Sequence, residues 1–290
     1  MFPDFLCIGA QKAGTSWLYW NMRLHPQIWL PPIKELHYFD HPTSSVLGVI
    51  LGRQVHQRIA RNYFIRQLLR MSTLRGSIED LRWASHYCMV RRGDEWYRSL
   101  FAKRAGQISG EVTPAYAWLA ESQVARIRDL MPSAKLIYTL RNPVERSWSQ
   151  ASMYFRKRGS LASMESSNRD IRHFFERKDV IANSDYMNNL AKWEKYYHQE
   201  QIFVGFFDDL ERNPRCFFRA ILGFLRVDAS DKHISSSIEQ KRHVGRAGSV
   251  PDWALRTLAR IHYEQLKALH RRFANDSTAS WLHQIELYLE

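Results

Sequence analysis

Three short stretches of this chain combine residue types at spacings that could bind an anion and move a proton. The first is Gln11-Lys12-Ala13-Gly14-Thr15-Ser16-Trp17, which follows the apolar run Phe5–Ala10. A lysine, a glycine and two hydroxyls between a strand and a helix start suit a phosphate. The glycine lets the backbone approach, free N–H groups face the anion, and the positive end of the helix dipole attracts it. A capped helix start would use the same residues without any ligand. The Walker order GxxxxGK[ST] is absent, since Lys12 precedes Gly14, and this argues against ordinary Mg-nucleotide hydrolysis.

The second stretch is Lys34-Glu35-Leu36-His37-Tyr38-Phe39-Asp40. Burial among apolar side chains raises a carboxyl's pKa while Lys34 and His37 pull it down, which is how a general base is tuned. Read as an extended segment, the alternation puts Glu35 and His37 on one side; a solvated strand end is the plainer reading. In the third, Arg141-Asn142-Pro143 ends an apolar run and Ser149 follows eight residues after Arg141. The guanidinium offers a two-pronged donor and the serine a hydroxyl, so the two could share one phosphate. Taken singly, Arg141 could pair with an acid and Ser149 could face solvent.

Together, in this order, the three stretches resemble those of sulfotransferases that use 3′-phosphoadenosine 5′-phosphosulfate (PAPS), and are most similar to the heparan-sulfate and carbohydrate branch. The resemblance implies that Lys12 contacts the phosphosulfate and stabilises the departing phosphate oxygen, while Ala13, Gly14, Thr15 and Ser16 cradle the 5′-phosphate. Trp17 resembles a tryptophan that stacks on adenine; a core tryptophan on the inner helix face fits equally well. The Lys-Glu-x-His-x-Phe-Asp signature implies that Glu35 is the catalytic base, supported by His37 and Asp40. Arg141 and Ser149 resemble the 3′-phosphate motif. Gly110-Glu111-Val112-Thr113-Pro114-Ala115-Tyr116 resembles a further family segment, with Val112 where many carbohydrate sulfotransferases carry lysine. His243-Val244-Gly245-Arg246 resembles a loop closing over the 3′-phosphate, implying Gly245 and Arg246 as donor contacts, with Lys241 and Arg242 as nearby alternatives. The implied product is 3′-phosphoadenosine 5′-phosphate (PAP), with no metal required. The implied acceptor is a hydroxyl, less readily an amine, of a glycan, glycolipid or other metabolite.

Positioning these stretches needs strands that end where they begin. Short apolar runs at Phe5–Ala10, Gln107–Val112, Lys135–Leu140 and Ile202–Phe207 read as parallel strands. Helical patterns follow at Thr15–Leu24, Ser122–Leu130, Pro143–Lys157, Asp185–Tyr197, Pro214–Leu225 and Pro251–Arg272. Pro143 and Pro214 suit the first turn of a helix. The alternation predicts an α/β fold with a central parallel sheet flanked by helices, a P-loop-NTPase-like three-layer architecture with ligands at the carboxyl ends of the strands. One domain over 1–290 is expected, with 41–105 a helical lid or acceptor-binding insertion. Between Asp40 and Glu79 no acid occurs, whereas Arg53, Arg58, Arg61, Arg66, Arg70 and Arg75 do. Such a basic amphipathic stretch could rest on a membrane surface, grip an acidic polymer or cover the site.

The 290 residues, 45% hydrophobic and 24% charged, exclude disorder and low complexity. A net charge of +13 favours anionic partners. A P-loop-type kinase using ATP–Mg²⁺ and a non-catalytic basic module for nucleic acid or acidic polymers are the competing readings; neither needs the Glu35 motif together with Arg141 and Ser149. Nucleic acid is therefore not the expected partner. Cys7, Cys88 and Cys216 form no CxxC pair, which fits a reducing compartment. The first apolar run contains Pro3 and Asp4 and lacks a basic leader, and no stretch approaches ~18 apolar residues, so a soluble protein is expected; by analogy with the family it resembles, a bacterial-type cytoplasmic enzyme is expected.

Overall fold

The computed structural model describes residues 1–40, 78–90, 92–101, 103, 105–157, 168–240 and 250–289. Strands β1 (Phe5–Gly9), β2 (Ile28–Trp29), β3 (Ile108–Val112), β4 (Lys135–Leu140) and β5 (Ile202–Phe206) form one five-stranded sheet. Its order is β2-β3-β1-β4-β5, and every adjacent pair is parallel.

A parallel sheet buries both faces, which is why its strands read as apolar runs. Along β1, Phe5 and Cys7 enter one core with Ile137, while Leu6 and Ile8 enter the other with Leu136, Tyr138 and Leu140. Helices α1 (Thr15–Arg23) and α10 (Pro214–Leu225) cover the first face through Trp17, Leu18, Met22, Phe217, Phe218 and Ile221. The other face takes α4 (Glu121–Leu130), α5 (Pro143–Lys157), α8 (Tyr186–Glu194), α11 (Asp252–Phe273) and α12 (Asp276–Glu286). The expected α/β sandwich is thus the observed one. Gly110 is required by this packing: a Cβ there would lie 2.2 Å from the Phe5 ring of the neighbouring strand.

Several elements escape the apolar pattern. Strand β2 is two residues long, pairing Ile28 with Ile108 at the sheet edge. Helix α2 (Ile78–Met89) has 12 residues, while α3 (Asp94–Ser99), α6 (Asn168–Phe175), α7 (Lys178–Ser184) and α9 (Phe207–Arg212) have 6 to 8. Of the insertion expected over 41–105, residues 41–77 lie outside the described residues, as does the basic run from Arg53 to Arg75; α2 and α3 make up most of the rest. Among the described residues no helix is long and apolar enough to cross a membrane.

The chain leaves β1 through α1 towards β2, and leaves β4 through α5 towards β5. Direction therefore diverges at the β1/β4 seam, where ligands of such sheets bind. Helix α5 is fixed there by a buried cation. The Arg146 guanidinium, fully buried, donates to Ser184 Oγ (2.5 Å), Gln150 Oε1 (2.7 Å), Ser147 Oγ and the Val180 carbonyl (both 3.0 Å). Ser147 also meets His262 Nε2 of α11 at 3.1 Å. Removing the guanidinium strands several buried acceptors at ~1–3 kcal/mol each. Arg146→Ala is therefore expected to lower the unfolding free energy by about 3 kcal/mol or more in denaturant titration.

Candidate active site

The loop after β1 begins with the Ala10 N–H donating to the Thr139 carbonyl of β4 at 2.8 Å, which keeps it on the seam. Lys12 and Gly14 both adopt left-handed backbone, with φ of 72° and 81°. Gly14 is the residue before α1 and supplies no side-chain cap. It also has no room for one, since a Cβ would fall 2.5 Å from Leu210 Cδ2. The opening N–H groups of α1 lack carbonyls one turn back, so this helix end suits an anion. Thr15 is buried and Ser16 half-buried at its rim.

Across the seam, Arg141 follows β4. Its Nη1 donates to the Lys12 carbonyl at 3.1 Å, and Nη2 and Nε donate to Glu145 Oε2 at 2.9 and 3.2 Å. The guanidinium stacks on Phe207, 4.6 Å from its centroid. Arg141 thus pairs with an acid, as its chemistry allows, and in doing so joins the two loops read as phosphate sites. Ser149 is half-buried further along α5. Trp17 packs in the core: it is 6% exposed, its ring meets Phe218 edge-on at 5.9 Å, and Nε1 donates to the Ile238 carbonyl at 2.8 Å. Gly245 and Arg246, with Lys241 and Arg242, lie outside the described residues.

The stretch from Lys34 to Asp40 departs from the extended alternation expected of it. Glu35 and His37 have φ of 66° and 52°. Left-handed backbone costs a side-chain-bearing residue roughly 1–3 kcal/mol and persists only when the surroundings hold it. Here the Glu35 N–H donates to the Val112 carbonyl (3.1 Å), Arg92 Nη2 to the His37 carbonyl (2.8 Å) and Gln123 Nε2 to the Phe39 carbonyl (2.6 Å). The two side chains still meet, by a turn rather than by strand periodicity. His37 Nε2 lies 3.5 Å from Glu35 Oε2, and Nδ1 lies 2.5 Å from Asp40 Oδ2. Lys34 Nζ is paired with Glu35 Oε1. Val112 is buried among Phe5, Cys7 and Ile137, so it contributes its carbonyl and not its side chain. Lys12, Glu35 and His37 are three of the five described residues other than glycine with positive φ; sequence periodicity carries no signal for that.

Burial pushes the Glu35 carboxyl up, but hydrogen bonding to His37 and the charge of Lys34 outweigh it and hold the group at about 2. Burial pushes the His37 imidazole down, and its bonds to Asp40 and Glu35 raise it to about 10. At neutral pH the motif is therefore a carboxylate held between an ammonium and an imidazolium. It can accept a proton, and it presents cations to an incoming anion. The pH signs follow. Glu35, lowered, contributes stability above its ordinary value of 4.5 that is lost as pH falls towards 2. His37, raised, contributes stability below 6.5 that is lost as pH rises through 10. NMR titration should find the His37 ring still protonated at pH 8; a midpoint near 6.5, the ordinary imidazole value, would show the pairing absent.

Comparison with known proteins identifies the family and the fold. The family model described as "Sulfotransferase family" matches residues 3–231. Mouse heparan sulfate glucosamine 3-O-sulfotransferase 3B1 is 25% identical over 237 residues, covering 80% of this chain and 48% of that protein. The human 3-O-sulfotransferase 6 is 27% identical over 239 residues, covering 80% and 55%. The chain spans about half the length of the curated relatives it matches. Among solved structures, a sulfotransferase from Alicyclobacillus acidocaldarius superposes with a TM-score of 0.65 at 20% identity, covering 97% of this chain and 99% of that one. Mouse sulfotransferase SULT7A1 complexed with PAP gives a TM-score of 0.53 at 14% identity, covering 98% and 89%.

Proposed function

Since the chain belongs to the sulfotransferase family, we propose that it transfers the sulfuryl group of PAPS to a hydroxyl of a glycan or related acceptor, with Glu35 as the base. The observation that carries this reading is the seam itself. The loop of Lys12 and Gly14 and the loop of Arg141 are bonded to each other at 3.1 Å. The Glu35–His37 pair hangs from Val112 on β3, the strand on the other side of β1.

PAPS fits the donor set by its charge. A 5′-phosphosulfate would take the start of α1 and Lys12, and a 3′-phosphate would take Arg141 and Ser149, with Arg141 exchanging Glu145 for the phosphate. Sulfuryl transfer resembles phosphoryl transfer, with in-line displacement through a loose transition state. The acceptor oxygen bonds to sulfur as the bond from sulfur to the 5′-phosphate oxygen breaks. The leaving electron pair departs with PAP, next to Lys12, and the hydroxyl proton passes to Glu35. In a loose transition state the acceptor proton becomes acidic only as the new bond forms, so a carboxylate of low basicity suffices. Both Glu35 oxygens are engaged at rest. Lys34 is the partner to be displaced, because His37 is anchored by Asp40. The glycan acceptor is supported by relatives that are heparan sulfate glucosamine 3-O-sulfotransferases.

Thermal-shift titration with PAP, ADP and ATP–Mg²⁺ tests the donor. Selective stabilisation by PAP is expected, about 2.7 kcal/mol at 100 times its dissociation constant, and should disappear in Arg141→Ala. Equal stabilisation by ATP–Mg²⁺ would favour a kinase. Glu35→Gln should lower kcat by ~10²–10⁴-fold with PAP binding intact; unchanged turnover would remove Glu35 as the base.

A further inference from the structure

The Arg141 guanidinium reaches across the seam, but its main chain is held from another direction. Strand β4 pairs with β5 as far as Leu140 opposite Phe206, so the Arg141 carbonyl lies one residue past the ladder. It accepts the hydroxyl of Tyr186 at 2.7 Å. Chemistry fixes the direction of this bond, because a carbonyl only accepts and a phenol has one proton to give.

Tyr186 is itself immobilised. It is the first residue of α8, whose start is capped by Asp185 accepting the Asn188 N–H at 3.3 Å. Its side chain is fully buried, with the ring edge-on to Tyr138 of β4 at 5.9 Å. Asn189, in the same turn, donates to the Ala182 carbonyl at 2.8 Å and to the Tyr138 hydroxyl at 3.4 Å. The residue after Arg141 is braced as well. Asn142, buried, donates to Gln284 Oε1 of α12 at 2.7 Å and accepts the Val144 N–H at 3.0 Å. The peptide group leaving Arg141 is therefore fixed by α8, and its neighbour by α12. A long side chain reaches a given point only from a given root, and a root held before the ligand arrives spares the cost of ordering it on binding.

We infer that Tyr186 is a positioning residue for the far end of the donor: by holding the Arg141 carbonyl it sets where the guanidinium meets a 3′-phosphate. The nucleotide part of this inference rests on the sulfotransfer reading above; the hold on Arg141 does not.

The test uses the full chain, with Tyr186→Phe made in the unmodified and the Arg141→Ala backgrounds. Tyr197→Phe is the matched control, since its hydroxyl is also buried and donates to a main-chain carbonyl, that of Met131 at 3.1 Å. Both phenylalanine variants should lower the melting temperature, because each strands a buried carbonyl. Calorimetry should show PAP affinity falling at least about tenfold in Tyr186→Phe, with affinity for adenosine 5′-phosphate, which lacks the 3′-phosphate, within about twofold. In the Arg141→Ala background Tyr186→Phe should change PAP affinity by less than about twofold, the sign of two residues acting through one contact. The KM for PAPS should rise with kcat nearly unchanged, since the 3′-phosphate is bound equally before and during transfer. Tyr197→Phe should leave both affinities within about twofold. Equal losses for the two nucleotides, a loss that adds in full to that of Arg141→Ala, or behaviour matching Tyr197→Phe would each overturn the inference. If Tyr186→Phe does not fold, Gln284→Ala decides by the same cycle: a PAP-selective loss that vanishes without Arg141 supports the bracing, and its absence overturns it. If the unmodified chain shows no preference for PAP over adenosine 5′-phosphate, the donor reading fails. The hold on Arg141 is then decided by NMR of its Nε–H, identified by its loss in Arg141→Ala. That signal should shift and exchange faster in Tyr186→Phe and not in Tyr197→Phe; an unmoved signal would remove the positioning role.

Discussion

The bond from Arg141 to the Lys12 carbonyl is the constraint on which the rest of the site depends. It crosses the seam where α1 and α5 diverge to opposite faces of the sheet, and it ties a left-handed residue of one loop to the first residue after the neighbouring strand. Together with the β1–β4 pairing and the Ala10–Thr139 bond it holds the start of α1 and the start of α5 at one separation. A ligand carrying charge at both ends needs that separation held before it arrives, since ordering the loops on binding would subtract from affinity. Phe207 under the guanidinium and Glu145 beside it keep Arg141 in place while the crevice is open.

Much of this was legible in the chain. Phe5–Gly9, Lys135–Leu140 and Ile202–Phe206 are apolar runs because the sheet is covered on both sides, and Pro143 and Pro214 stand in the first turns of α5 and α10 because a proline costs no hydrogen bond there. The loops that follow these strands were therefore identifiable as the place for chemistry. Helix α12 was missed, although Asn275 accepting the Thr278 N–H at 2.9 Å is a capping signal present in the residues themselves. Strand β2, at two residues, has too few positions to display a period.

The conformation of the Lys34–Asp40 stretch lay beyond such reading. Glu35 and His37 do come together, yet through two left-handed residues held by Val112, Arg92 and Gln123, none of which lies in the motif. Local residue types would favour extended backbone; tertiary hydrogen bonds override them. Trp17 shows the same limit. Its position after the loop is compatible with stacking on a ligand, and only the surrounding Phe217, Phe218 and Ile238 carbonyl reveal a packed indole.

The electrostatics give the motif its logic in a chain of net charge +13. In the proposed reaction a donor with phosphate and phosphosulfate groups would bring several negative charges towards Glu35, and like charges raise a carboxyl's pKa. A glutamate starting from its ordinary value could be protonated by that approach at neutral pH and lose its capacity as a base. Lys34 and His37 set the starting point near 2 instead, leaving room for the rise. His37 in turn keeps its proton because Asp40 faces its other nitrogen. The Lys34–Glu35–His37–Asp40 chain of alternating charge is thus one device: in the proposed reaction it would keep a carboxylate ionised beside an anion, and the left-handed turns are what bring its members within reach of one another.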